Sequence, residues 1–208
     1  MALKKAGNTA AAHAGEARSR ARDAAGLVEQ LGAADAGTRR WAARDLAAHP
    51  EAAPALCARL ASEPDPKVRS ALFSSAASMG GSEVARALVD LLRSEDPGLR
   101  NGAIEVLAGL PDVVAPHIER LLGDADSDVR IFTVNLLGDL QHPKVPQWLA
   151  QVLLHDAAVN VVGAALEVLA EVGTPASLPA LRSACKRFAD DAYIGFAVDL
   201  AIERIGTS

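Results

Sequence analysis

Arginine is the residue of this chain that recurs most regularly. Arg39, Arg69, Arg100 and Arg130 stand 30, 31 and 30 residues apart. Two chemistries suit such a row. A stripe of guanidinium groups can hold the successive phosphates of a nucleic acid. Alternatively, each arginine can pair with a loop carboxylate of a neighbouring repeat, because the planar guanidinium fork takes a carboxylate with two parallel hydrogen bonds. Aspartates at Asp65, Asp96 and Asp126 recur with the same interval. The reading is therefore a structural ladder of Arg39, Arg69, Arg100 and Arg130 with Asp65, Asp96 and Asp126. The row stops at Val162 and Gly195, so the last two repeats must be joined in another way.

Metal and catalytic chemistry need convergent ligands. The five histidines, His13, His49, His117, His142 and His155, form no HxH or HExxH pattern, and the two cysteines, Cys57 and Cys185, lie far apart with no CxxC. No metal site and no catalytic residue is assigned, and no cofactor is expected. His49 and His142 adjoin prolines in turns, whereas His117 can line a groove. Both cysteines fall on apolar helix stripes and read as buried, inert thiols.

The elements that carry these residues follow from an internal repeat. The apolar residues Thr38 (through its methyl), Val68, Leu99, Val129, Val161 and Ile194 each open an Ala-rich helix, at intervals of 30, 31, 30, 32 and 33. A second helix follows in each unit, marked by Pro54, Pro116, Pro146 and Pro179, since proline is tolerated in the first turn of a helix. Arg86 stands where the second unit would have it. Behind these lie i, i+3, i+4 stripes such as Leu88/Leu91/Leu92 and Ile118/Leu121/Leu122, the buried face of an amphipathic helix. A helix pair of this size cannot close a core alone, so the pairs must stack. The expected fold class is all-α, a right-handed α-solenoid of about six helix-pair repeats. Residues 1–15 are expected to fray, 16–34 to form an N-terminal capping helix, and 35–208 to form the solenoid as one domain with that cap. Trp41 is expected to pack on the cap, and Tyr193, Phe196 and Phe188 to shield the terminal face.

Composition narrows the function. Half of the residues are hydrophobic while only 3% are aromatic, which suits thin, closely approached helical layers and not a roomy pocket for a large planar ligand. No long uncharged apolar stretch suggests a membrane span, and the first residues lack the apolar core of a signal peptide, so the expectation is a cytoplasmic protein. The first 50 residues carry a net charge of +3 and the remaining 158 a net of −8, in keeping with −5 for the chain. An acidic body lacks the broad basic footprint of a duplex binder, which argues against nucleic acid as a partner.

The pattern D-x-x-V-R opening an Ala-rich helix, followed by V/A-P-x-L-x-x-L-L, resembles the HEAT-like repeats of the phycobilisome-lyase type over roughly residues 30–206. The resemblance implies an α-solenoid whose second helices line the concave side. It also raises bilin-lyase activity as an alternative function. Some HEAT-like hydroxylases hold a di-iron site through His-Glu pairs, and no His-Glu dipeptide occurs here.

The leading expectation is a non-catalytic scaffold or adaptor that binds another protein, a helix or an extended peptide, along the second helices. Residues 84–155 would hold it, with Asp90, Arg93, His117, Arg120, Gln147 and Gln151 as the orienting contacts. No small-molecule substrate is expected. Acids at successive loops, among them Asp124, Asp126 and Asp156, form a second candidate edge for a basic partner.

Overall fold

The computed structural model describes residues 22–207, which form twelve α-helices and three short 3₁₀ turns, with no β-strand among the described residues. The expectation for residues 1–15, and the start of the capping helix at 16–21, fall outside them. The helix present in that region, α1, is short, Ala24–Gln30. Five helix pairs follow: α2 (Ala36–Asp45) with α3 (Ala53–Ser62), α4 (Pro66–Met79) with α5 (Gly81–Leu91), α6 (Pro97–Ala108) with α7 (Pro111–Leu122), α8 (Ser127–Asp139) with α9 (Val145–His155), and α10 (Val159–Val172) with α11 (Leu178–Arg187). The last helix, α12, spans Ala192–Thr207. The chain divides into two compact units, one ending at Ala87 and the other beginning at Leu88.

Aspartate starts the first helix of the first four pairs. Asp35, Asp65, Asp96 and Asp126 sit in extended backbone, and their carboxylates accept the amide N–H groups that a helix start leaves unpaired. Pro66 and Pro97 then occupy the first helical position, where a missing N–H costs nothing. The second helices agree less closely with the proline markers. Pro54, Pro146 and Pro179 do lie in the first turn of α3, α9 and α11, but Pro116 lies inside α7, which begins at Pro111. Gly80 (φ 60°) and Gly81 (φ 83°) turn the chain between α4 and α5 in a region that side-chain-bearing residues avoid.

In the first unit α2 packs on α1 and on α4, while α3 packs on α4. Leu46, Leu56, Leu60 and Leu72 are fully buried there, and the Ser75 hydroxyl donates to the Ala43 carbonyl at 2.7 Å, tying α4 to α2. In the second unit the first helices stack in one layer (α6, α8, α10, α12) and the second helices in another (α7, α9, α11). Each unit is thus a two-layered α-solenoid of helix pairs. Ile118, Leu136, Leu137, Leu149, Leu166 and Leu181 fill the space between the layers of the second unit without measurable exposure. Each such leucine contributes about 1.5–3 kcal/mol relative to an exposed one. All six register positions, from Thr38 to Ile194, are buried.

The aromatic residues depart from expectation. Trp41 is 51% exposed and carries the Arg44 guanidinium against its ring, while Tyr193 and Phe196 are 49% and 66% exposed on α12. Phe188, the third residue expected at the terminal face, is half-buried with the Arg187 guanidinium over its ring. Cys57 is buried but Cys185 only half so.

Candidate functional site

The arginine row is organised around the residue two before each helix cap. Each row member donates to a backbone carbonyl six residues earlier: Arg39 to Ala33, Arg69 to Glu63, Arg100 to Ser94 and Arg130 to Asp124, at 2.6–2.9 Å. Arg39 and Arg130 also grip a carboxylate from the following repeat. Arg39 holds Glu63 with two bonds of 2.9 and 2.8 Å, and Arg130 holds Asp156 with two of 2.7 and 3.1 Å. Asp65, Asp96 and Asp126 were the acids expected in this role. Each of them caps its own helix through one carboxylate oxygen, Oδ1, while Arg39 and Arg130 bond Glu63 and Asp156. Glu63 and Asp156 also accept the N–H of the cap residue two further on, from Asp65 and Ala158, and keep oxygen lone pairs for an arginine.

Burial works against ionisation of Glu63, whose side chain is fully enclosed, yet Arg39, Arg59 and the Asp65 amide overcome it and hold the carboxyl at about 2. Where the row stops, Arg187 at the end of α11 reaches back to the carbonyls of Leu153 and Asp156, which supplies the different stitch.

The expected partner contacts are spread over the ends and faces of three second helices. Asp90 on α5, Arg93 just beyond it, Arg120 on α7, and Gln147 and Gln151 on α9 are exposed, and His117 on α7 is half-buried. Arg93 is already engaged, with both terminal nitrogens on the Asp124 carboxylate. Gln147 and Gln151 lie one turn apart on the rim of an open depression of about 650 Å³ between α7 and α9. Leu122, Trp148 and Val152 also line it, together with Glu119 and His155. Asp90, Arg93, His117 and Arg120 do not line it. Trp148 itself is 4% exposed and stacks on the His142 ring at 4.9 Å. Glu119 and His155 were missed; each stands four residues from another rim or cap-loop residue (Gly123 and Gln151), which is the only trace of them in the sequence. The ion-paired Arg130 and Asp156 and the acid Asp124 line it as well, so it offers a mixed apolar and charged surface beside an amide pair able both to donate to and to accept from a partner's backbone.

A smaller hollow lies between α10 and α12, lined by Asn160, Gly163, Glu167, Asp191 and Tyr193. The Tyr193 hydroxyl donates to Glu167 at 2.5 Å across its mouth. That bond, and after it burial, raises the Tyr193 pKa. No group of three or more His, Cys, Asp or Glu side chains suited to a metal lies among the described residues, and no helix there is long and apolar enough to cross a membrane.

Comparison with known proteins agrees with the repeat register. The HEAT-repeat family matches residues 24–108 and 114–194. The bilin biosynthesis protein PecE of Mastigocladus laminosus is 36% identical over 118 residues, covering 55% of this chain, which spans less than half (43%) of that relative's length. Among solved structures, an archaeal HEAT-like repeats protein from Thermococcus onnurineus NA1 is 20% identical with a TM-score of 0.45 and 88% of both chains covered. Human deoxyhypusine hydroxylase is 15% identical with a TM-score of 0.44, covering 89% of this chain and 85% of its own. Because the family match runs through each of the Asp-capped helix pairs described above, this chain belongs to the HEAT-repeat family.

Proposed function

We propose that this protein is a scaffold or adaptor that binds a segment of another protein on its second helices, and that α7 and α9 form the centre of the binding face. The observation that carries the reading is the Gln147–Gln151 pair, exposed one helical turn apart beside an open depression. Two amides at that spacing suit the backbone of an extended peptide or the polar flank of a helix, and the floor of Leu122, Trp148 and Val152 suits an apolar side chain. Arg120, His117, Arg93 and Asp90 would fix register at the edge. The test compares partner capture by wild type and by the variant Asp90→Arg, Arg120→Glu, Gln147→Arg. A specific protein retained by wild type and lost by the folded variant supports the reading. The same proteins on both baits refute it.

A second reading is favoured by one observation, the 36% identity to a bilin biosynthesis protein. In it the chain acts as an accessory or catalytic subunit in the handling of a linear tetrapyrrole. A visible absorbance band on the purified protein, or one gained on mixing with free bilin, separates this reading from the first.

A further inference from the structure

Three acids stand two residues before a helix cap: Glu63, Asp124 and Asp156. Two of them receive the row arginine of the preceding repeat, at separations of 24 and 26 residues. Asp124 stands 24 residues after Arg100, the separation found for Arg39 and Glu63. It also accepts the N–H of its own cap residue, Asp126, as Glu63 accepts that of Asp65. By its place in the repeat Asp124 is therefore the partner of Arg100. It is bonded instead to Arg93, which comes from the end of α5. Arg100 pays for the exchange in two ways. It forms no ion pair among the described residues, resting over the Phe132 ring at 4.5 Å, and its Nε is buried with no hydrogen-bond partner. Buried polar groups without a partner are rare and call for an explanation.

The two arginines differ in exposure. The Arg93 side chain is 52% exposed while Asp124 is 7% exposed, so this pair can be reached from solvent on one side only. An exposed pair of this kind adds little to stability and exchanges readily. Its geometry also declares which ligand Arg93 takes: two terminal nitrogens on two oxygens, the arrangement of a carboxylate. Arg120 stands four residues before Asp124, as Arg59 does before Glu63, and adds a second cation beside the same acid.

We propose that Arg93 is the receptor for a carboxylate of the bound partner, and that Asp124 is its internal stand-in, displaced onto Arg100 when the partner's Asp or Glu arrives. The partner segment is thus acidic where it crosses the α5–α7 edge, and its docking repairs the unsatisfied Nε of Arg100. The inference rests on the second helices being the binding face.

The experiment follows the arginine Nε–H resonances of the full chain by nuclear magnetic resonance, and titrates a peptide of alternating glutamate and alanine against its glutamine counterpart. The glutamate peptide is expected to shift Arg93 and Arg100 together, and the glutamine peptide neither. Asp124→Asn keeps the oxygen that accepts from Asp126 but removes the competing charge, so it should bind the glutamate peptide roughly two- to fivefold more tightly, the range an exposed ion pair is worth. Arg93→Gln should abolish binding and, with no peptide present, move the Arg100 Nε–H as Asp124 transfers to it. An Arg100 resonance unmoved in Arg93→Gln overturns the exchange, and so does weaker binding by Asp124→Asn. Failure of these tests leaves capture of a partner through Gln147 unaffected, whereas failure of that capture leaves the Arg100 response to Arg93→Gln still to be seen, so the two readings fail separately.

Discussion

Arg39 and Glu63 form a two-bond ion pair that joins successive repeats of the first unit with almost no solvent contact, the side chains being 9% and 0% exposed. Glu63 is also bonded by Arg59 and by the Asp65 amide, so groups from α2, α3 and the start of α4 meet at one carboxylate. Enclosed pairs gain little over a well-packed apolar pair, but breaking one leaves a buried charge.

Replacing Glu63 by alanine is therefore expected to cost about 3–5 kcal/mol, since the Arg39 guanidinium keeps only the Ala33 and Ala34 carbonyls. Urea unfolding of the variant measures it. The acid dependence has a definite sign. Because the folded pKa of Glu63 is lowered to about 2 from 4.5, its contribution is complete above the higher value and disappears as pH falls through the lower. The stability gap between wild type and Glu63→Gln should shrink across that window and be constant above it.

Two glycines should respond in opposite directions. A Cβ on Gly195, in the first turns of α12, meets nothing within 4 Å, so Gly195→Ala should stabilise the helix by up to about 1 kcal/mol. A Cβ on Gly173 would lie 2.3 Å from the Leu169 carbonyl oxygen and 2.6 Å from Ile205, distances that require backbone or core to move. Gly173→Ala is expected to cost about 1–3 kcal/mol. Thermal melts of the two variants against wild type check both signs.

The repeat register was readable from the sequence because burial is periodic: the residues from Thr38 to Ile194 are apolar for a shared reason and fall in one column. Glu63 and Asp156, which pair with Arg39 and Arg130, were not. Their column, two residues before each cap, reads Ala33, Glu63, Ser94, Asp124 and Asp156, so no single residue type repeats. Pairing there is decided by which arginine arrives, and Arg93 reaches Asp124 from outside the row. The aromatic residues misled because size suggests burial. Trp41 sits at the register position of Phe132, three residues after its anchor, yet it lies open beside Arg44. The binding rim is the least readable part, since Gln147 and Gln151 differ from any solvated helix face only through the hollow beside them.

The two thiols should separate kinetically. Burial, and behind it the charge of Glu83, raises the Cys57 pKa, and the residue is 8% exposed, whereas Cys185 is half-buried. The thiolate is the reactive form, so both factors slow Cys57. Reaction of the native protein with an aromatic disulfide reagent should show two phases, and Cys185→Ser should remove the fast one. A single phase in wild type contradicts the assignment.

The one tyrosine of the chain makes a further test unusually clean, because ultraviolet titration reads Tyr193 alone. Its hydroxyl is the donor in the bond to Glu167, so ionising the phenol breaks that bond and places two negative charges side by side. Both effects favour the neutral form, and the pKa is raised above its ordinary 10. Glu167→Gln removes the charge and retains an acceptor, so the midpoint should fall back toward the ordinary value while the helix stays folded. If both proteins titrate together, the bond across the α10–α12 hollow is not formed in solution, and the hollow then has no closed mouth.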